Sequence, residues 1–277
     1  MVIAQEVEAD IRLSDCVMSR FSDISEITSL NRRLGSWQQV SPRLYQAIAA
    51  SCRAYRITGG RFDPRVLAHL EAIGYGGAEL GPLVADKTGG AWCERRPRSH
   101  EVRLLDAIDL GGIGKGLAVR WASHLAQHRT DNHLLNAGGD LMLVGDGPDG
   151  TGWLVGVEDP DEPAGLLAAL RLRGPAACCT SSVRRLSWLH DGERVHHLID
   201  PATGQPGGEG LRSVTVVGRD AAWTEVLSKT LFLEGRKGIT AAVRGRAVLF
   251  VDEDRAVFVT RSMASRLSGV TRAFTVI

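Results

Sequence analysis

A chain of 277 residues, 44% hydrophobic and 23% charged, has the length and composition of a globular protein with a substantial core. Its formal net charge of +1 gives no electrostatic basis for binding nucleic acid or an anionic membrane surface. We expect no membrane span and no signal peptide, because the sequence shows neither a long apolar run nor a basic leader. Five cysteines without metal-binding spacing predict reduced thiols and a cytoplasmic location.

Helices are predicted in the first third of the chain. Apolar residues at helical spacing predict an amphipathic helix over about residues 5–20. A serine followed by proline begins a second predicted helix at residue 41, which ends near residue 58, before two glycines. A third is predicted over 63–74. Residues 76–100 show little periodicity and predict an irregular surface segment.

Short strands dominate from residue 101, with helices predicted between them at 115–129 and 221–234. Residues 246–260 are typical of a hairpin. The predicted fold class is therefore α+β, with N-terminal helices followed by a mixed or antiparallel sheet and two inserted helices. We expect residues 1–277 to form a single domain, built either as one unit or as two closely packed lobes. The predicted strands are 101–105, 133–136, 140–144, 153–158, 167–172, 176–181, 184–190, 195–199, 212–218, 246–251 and 255–260.

A glycine-rich run, Asp109-Leu110-Gly111-Gly112-Ile113-Gly114-Lys115-Gly116, precedes the helix predicted at 115–129. Glycines let backbone N–H and C=O groups approach a ligand, and a helix N-terminus suits a phosphate. The run lacks the spacing of a Walker A loop and of a dinucleotide fingerprint. Considered alone, this glycine run (residues 109–116) predicts no more than a strand-to-helix turn.

Four other motifs also carry chemistry, although each one alone is more typical of a structural turn or cap. Phe62-Asp63-Pro64 is a helix start with a capping carboxylate, and residues 136–140 form a second glycine turn, Asn-Ala-Gly-Gly-Asp. Residues 180–182 place three hydroxyls at a strand end. Residues 196–204 read His-His-Leu-Ile-Asp-Pro-Ala-Thr-Gly, and because side chains alternate along a strand, only one histidine can face a given site.

The order and spacing of these motifs resemble the ApbE family, the FAD:protein FMN transferases, over roughly residues 18–235. The resemblance implies an enzyme that binds FAD and breaks its pyrophosphate with Mg²⁺. FMN would be attached by a phosphoester to a Thr or Ser hydroxyl of a target flavoprotein, with release of AMP. Such a transfer needs charge neutralisation at the phosphoryl oxygens and an activated hydroxyl. The expected partners are thus FAD and the target flavoprotein.

Residue roles follow from the same resemblance, position by position. Three residues are implied to be catalytic: Asp109, Lys115 and His197. The implied FAD contacts are Phe62, Asp63, Asp109, Lys115, Thr180, Ser181 and His197. The implied metal positions are the main-chain carbonyl of Gly112 and two side chains on the helix at 221–234, Glu225 and Lys229.

Lys229 departs from the family, whose two side-chain ligands on this helix are Asp and Thr. Glu225 can still hold Mg²⁺, but an ammonium has no acceptor for a cation. One interpretation is an ordinary i,i+4 ion pair between Glu225 and Lys229. The other, favoured because only four lysines occur in the chain, is that the ammonium partly replaces the cation. It predicts activity that survives chelation.

Two further departures affect the predicted activity. The family's opening strand, with a Met-Gly-Thr-like turn, is not found ahead of the first predicted helix, and Ser182 stands where many relatives have glycine. Two alternative functions therefore remain. One is an FAD-binding or FAD-scavenging relative without turnover. The other is an FAD pyrophosphatase that uses water and releases FMN and AMP.

Overall fold

The computed structural model describes residues 2–80, 83, 91–162, 164–184 and 186–277. Within these residues the α-helices are α1 Val2–Met18, α2 Glu26–Asn31, α3 Pro42–Ile57, α4 Leu67–Ala72, α5 Gly114–Gln127, α6 Ala221–Leu233, α7 Gly235–Ala242 and α8 Arg261–Ala264, and a 3-10 turn spans Pro64–Val66. The strands are β1 Gln38–Gln39, β2 Cys93–Arg96, β3 Glu101–Leu104, β4 His133–Ala137, β5 Asp140–Val144, β6 Trp153–Glu158, β7 Leu166–Leu172, β8 Ala176–Ser182, β9 Ser187–His190, β10 Glu193–His196, β11 Ile199–Asp200, β12 Gln205–Pro206, β13 Leu211–Gly218, β14 Ala247–Asp252, β15 Val257–Val259, β16 Leu267–Val270 and β17 Phe274–Val276.

A seven-stranded sheet in the order β17-β15-β14-β13-β8-β5-β4 forms the centre of the fold. Its pairs are antiparallel except for β15 with β17. Side chains alternate along β14 and pack into a different hydrophobic core on each face of the sheet. Val248 and Phe250 pack towards α6 and α7. Leu249 and Val251 pack towards β6 and β7. Each fully buried large apolar side chain contributes roughly 1.5–3 kcal/mol, so the sheet is fixed from both faces.

Gly116 sets the distance between α5 and α6. A Cβ atom on this residue would lie 2.6 Å from the carbonyl oxygen of Ala221 and 2.7 Å from Cα of Ala222. Only glycine permits so close an approach of two helix backbones. The contact brings the N-terminus of α5, and with it the end of the glycine run, against the first turn of α6.

The α+β class, the early helices and most strands agree with the sequence predictions. The prediction of an irregular segment over 76–100 is wrong at β2, because this strand pairs with β3. Residues 81–82 and 84–90 of that segment lie outside the described residues. The strand predicted over 195–199 is broken at residues 197–198. Local patterns also missed α2, α7, α8, β16 and β17. Every helix in the described part of the chain is too short or too polar to span a lipid bilayer.

Candidate functional site

A cavity of about 710 Å³ lies between the C-terminal end of α1, the glycine run, the sheet and the segment after β10. It brings together residues that are far apart in sequence. Of the predicted site residues, Glu225 is buried beneath the cavity wall, and the others line it: Phe62, Asp63, Asp109, Gly112, Lys115, Thr180, Ser181, His197 and Lys229.

An ionic cluster forms one wall of the cavity, and we call it the lysine cluster: Lys115, Asp140, Glu225 and Lys229. Oε1 of Glu225 accepts from Nζ of Lys115 at 2.6 Å and from Nζ of Lys229 at 2.9 Å. Its Oε2 accepts from the backbone N–H of Gly116 at 2.7 Å, and Lys115 Nζ also lies 2.8 Å from Oδ2 of Asp140. The glycine that lets α5 approach α6 therefore also lets this carboxylate bridge the two helices.

Burial and charge act in opposite directions on the pKa values of this cluster. Burial alone would raise the pKa of Glu225, but the two ammonium groups outweigh it and hold the pKa at about 2. Burial and the neighbouring Glu225 raise the pKa of Asp140. Burial would lower the pKa of Lys115, yet the carboxylates of Glu225 and Asp140 raise it. Lys115 therefore carries a full charge at neutral pH.

Asp109 lies at the start of the glycine run, where its Oδ1 accepts from the backbone N–H of Gly111 at 3.1 Å. Burial raises the pKa of this carboxyl, and the nearby Arg20 opposes the shift, with Nε 3.8 Å from Oδ1. A carboxylate with a raised pKa is a better proton acceptor than an exposed one. The arrangement suits a general base.

Sequence reasoning missed Arg20 and Tyr75. The Arg20 guanidinium lies 4.7 Å from the ring of Phe21 and 4.6 Å from the ring of Tyr75, and Nη2 donates to the carbonyl of Tyr75 at 2.6 Å. Nη1 is buried without a partner among the described residues. These contacts join residues 55 positions apart, so no local pattern could have indicated them.

Gly112 is required by close packing at the wall of the cavity. A Cβ atom there would meet Cε2 of Phe62 at 2.7 Å and Cδ of Lys229 at 3.6 Å. The glycine backbone is therefore held between an aromatic ring and the stem of a lysine. Asp63, beside that ring, caps the 3-10 turn through the N–H of Arg65 at 2.9 Å and pairs with its guanidinium at 2.7 Å. The structural role of Asp63 is thus explicit, and its contact with FAD stays a prediction.

Thr180 and Ser181 point in different directions at the end of β8. Thr180 is exposed, and its Oγ1 lies 2.9 Å from Oγ1 of Thr215 on the neighbouring strand. Ser181 is buried, and its Oγ lies 2.9 Å from Oγ of Ser228 on α6. Thr180 is therefore the more open of the two hydroxyls towards a ligand.

The two adjacent histidines diverge, as the sequence predicts. His197 lines the cavity with its ring centroid 6.2 Å from that of Tyr75, whereas His196 packs on Phe232. Burial lowers the pKa of His197 to about 4, and the charge of Lys229 adds to the effect. The ring is therefore neutral at physiological pH. Nδ1 lies 3.4 Å from the carbonyl of Leu186, and donation to it leaves Nε2 as an acceptor.

The predicted metal positions do not fit Mg²⁺. Magnesium requires oxygen donors with free lone pairs in an octahedral arrangement. The oxygens of Glu225 already accept from two ammonium groups and an amide, and Lys229 offers no lone pair. No group of three or more His, Cys, Asp or Glu side chains in the described part of the chain is arranged to hold a metal ion.

Comparison with known proteins gives a consistent result. The model of the ApbE family matches residues 2–250. The FAD:protein FMN transferase of Rhodobacter capsulatus is 29% identical over 272 residues, which cover 90% of this chain and 50% of that protein. The FAD:protein FMN transferase of Treponema pallidum is 27% identical over 295 residues, which cover 95% of this chain and 80% of that protein. The chain thus spans about half the length of the first relative.

Solved structures agree with the family match. The ApbE protein from Thermotoga maritima superposes with a TM-score of 0.85 at 27% identity, covering 97% of this chain and 92% of that one. The flavin transferase ApbE from Vibrio cholerae gives a TM-score of 0.79 at 22% identity, covering 96% of this chain and 90% of that one. This superposition supports the fold. On the sequence match and the shared fold together, this chain belongs to the ApbE family.

Proposed function

We propose that this protein transfers FMN from FAD to a Thr or Ser hydroxyl of a target flavoprotein, forming a phosphoester and releasing AMP. The observation that carries the proposal is one cavity that brings the glycine run, two lysines and a buried carboxylate, Asp109, together. The names of the relatives from Rhodobacter capsulatus and Treponema pallidum support the same reaction.

The walls of the cavity suit a ligand with flat apolar ends and an anionic centre. Lys115 and Lys229 supply positive charge beside the glycine run, and apolar side chains such as Met18, Phe21 and Leu154 line other parts of the wall. Phosphate binding at a glycine-rich helix N-terminus is a general property of such loops. FAD has this distribution of charge and apolar surface.

The transfer can be written with the residues present. The acceptor hydroxyl oxygen attacks the phosphorus of the FMN half, the bond from that phosphorus to the bridging oxygen breaks, and AMP leaves with the bridging oxygen. The Asp109 carboxylate takes the hydroxyl proton, because burial raises its pKa. Lys115 stabilises charge on the phosphoryl oxygens. His197, neutral and packed beside Tyr75, contacts the flavin.

A divalent cation bound with FAD would add positive charge at its diphosphate, but the side chains of Glu225 and Lys229 offer it no free ligand. The reaction above is therefore written without a metal. We also propose a cytoplasmic location, supported by five cysteines that are all unpaired.

The direct test incubates the purified chain with FAD and a candidate flavoprotein. We expect the flavoprotein to gain the mass of one FMN and AMP to appear in equal amount. Asp109→Asn should lower the rate by about 10²–10⁴-fold, the usual contribution of a general base. Asp191→Asn, a matched change at an exposed hairpin tip, should leave the rate unchanged.

The alternative functions are separate outcomes of this test. Release of FMN and AMP without an acceptor would identify an FAD pyrophosphatase. Binding of FAD with no AMP under any condition would identify an FAD-binding protein without turnover. Either result would contradict the transferase proposal, and equal rates for Asp109→Asn and the unchanged protein would contradict the role of Asp109.

A further inference from the structure

We infer that the ammonium groups of Lys115 and Lys229, held on Glu225, supply the positive charge at the FAD diphosphate, so that FAD binding and its cleavage need no divalent cation. The inference rests on the proposed function because FAD is the ligand. It goes further by assigning the charge to two side chains of this chain.

The first observation is that both oxygens of Glu225 are already engaged by donors of this chain. Its side chain is 0% exposed, and both oxygens accept short hydrogen bonds from Lys115, Lys229 and the N–H of Gly116. A cation bound to this carboxylate would have to displace an ammonium into a buried, low-dielectric region, which carries a large electrostatic cost. The carboxylate is therefore an anchor for the lysines.

The second observation is the layering of charge. The carboxylates of Asp140 and Glu225 are 5% and 0% exposed, whereas the side chains of Lys115 and Lys229 are 47% and 17% exposed and line the cavity. The ammonium groups of the cluster are thus more exposed to a ligand than its carboxylates, of which Asp140 reaches the wall and Glu225 lies beneath it. Such fixed charges stabilise an anion without reorganisation during the reaction.

The third observation is the number of unused donors. An ammonium has three N–H bonds. Within the described residues, Lys115 uses two of them, on Glu225 and Asp140, and Lys229 uses one, on Glu225. Three N–H bonds therefore remain for the non-bridging oxygens of a diphosphate. A surface ion pair at i,i+4 would leave its spare donors to water instead.

The fourth observation fixes Lys229 at the glycine run. Cδ of Lys229 lies 3.6 Å from the position of a Cβ on Gly112, and the ring of Phe62 packs on the same backbone. The aliphatic stem is thus held against the loop that we assign to the phosphates. The side chain is positioned for a ligand and is not free to sample solvent.

The test measures FAD affinity by flavin fluorescence in excess EDTA and again in excess Mg²⁺. We expect the unchanged protein to bind FAD equally in both. Lys229→Met should weaken binding in EDTA by about 10–100-fold, the value of one or two charge-assisted hydrogen bonds. Lys237→Met is the matched control, because Lys237 is exposed on α7. The affinity of this variant for FAD should equal that of the unchanged protein.

Lys229→Gln provides a second variant that keeps a donor for Glu225 but lacks the charge, in case the methionine variant does not fold. It should also bind FAD more weakly in EDTA. Titration of the unchanged protein and FAD with Mn²⁺, followed by electron paramagnetic resonance, should show no site tighter than that of free FAD. These measurements do not require turnover.

Loss of FAD affinity in EDTA that Mg²⁺ restores, or a tight Mn²⁺ site in the complex, would overturn the inference. Equal affinity of Lys229→Gln and the unchanged protein would overturn it as well. AMP release that continues in EDTA supports both proposals. Metal-independent binding with Lys229 dependence, but no FMN transfer to any acceptor, would support the lysine site and contradict the transferase function alone.

Discussion

Two ionic clusters of this molecule are built around buried carboxylates and differ in whether their positive groups face the cavity. In the lysine cluster, two ammonium groups share one carboxylate and retain unused donors at the cavity. The second, which we call the arginine cluster, consists of two carboxylates and three guanidinium groups, and none of its five residues lines the cavity: Asp159, Asp161, Arg212, Arg255 and Arg272.

The arginine cluster uses its charges on itself. Arg272 spans both carboxylates, 3.1 Å from Asp159 and 3.0 Å from Asp161, and Asp161 also pairs with Arg212 and Arg255 at 3.1 and 3.2 Å. The planar fork of arginine favours such closed, multiply bonded networks. Lysine is a point charge with three donors and can serve an internal anchor and a ligand together. The comparison therefore separates a structural ionic cluster from a ligand-binding one.

The largest effect is expected for Glu225→Gln. The change leaves the two ammonium groups with Asp140 as their remaining counter-charge, and breaking an ionic network around a fully buried carboxylate costs about 3–5 kcal/mol of the free energy of unfolding. FAD affinity should fall too, because the lysines lose their anchor. Urea denaturation and FAD titration measure the two effects. Glu8→Gln, which removes an exposed ion pair with Arg12, is the control and should leave both the urea midpoint and FAD affinity unchanged.

Asp161→Asn should destabilise the protein without weakening FAD binding. Its three arginine partners are partly exposed and can turn to water, so the expected cost is about 1.5–3 kcal/mol, below that of Glu225→Gln. FAD affinity should stay within about twofold. A large loss of affinity would show that the arginine cluster also serves the ligand, and the distinction between the clusters would fail.

Gly116→Ala tests the geometry that holds the lysine cluster together. The new methyl group would collide with Ala221 and Ala222, and such overpacking costs about 1–3 kcal/mol. Because α5 must move, Lys115 and Glu225 should separate and FAD affinity should fall. Gly269→Ala, where the Cβ meets open space, is the matched control. An unchanged thermal midpoint and affinity for Gly116→Ala would contradict the role of this close approach.

At neutral pH the smallest effect is expected from His197, because its contribution to stability changes only as the pH falls. Its pKa is lowered to about 4 in the folded protein, below the unfolded value near 6.5, so the unfolded chain binds the extra proton first. The contribution of His197 to the free energy of unfolding is fully present above about pH 6.5 and is lost progressively as the pH falls towards 4. His197→Asn should show a shallower decline of thermal midpoint over this window. An identical pH profile would show that the ring titrates normally.

Local chemistry allowed part of this fold to be predicted. Ser41 caps α3 through the N–H of Leu44, and Asp220 caps α6 through the N–H of Trp223, so these helix starts could be identified from adjacent residues. Nine of the residues that line the cavity were predicted from motif order and the family resemblance, whereas Arg20 and Tyr75 were not. Short elements such as β2 and β16 were not, because they are stabilised by pairing with distant strands.

The sequence by itself determined which chemical groups are present and the family to which their order belongs. It could not determine that Glu225 serves Lys115 as well as Lys229. The pair of Glu225 with Lys229 is local, four residues along one helix, whereas Lys115 is 110 residues away. Their contact exists because Gly116 lets two helix backbones meet, and only the packed fold decides such a distance. That packing engages both oxygens of Glu225 with donors of the chain itself and places both lysines at the cavity wall.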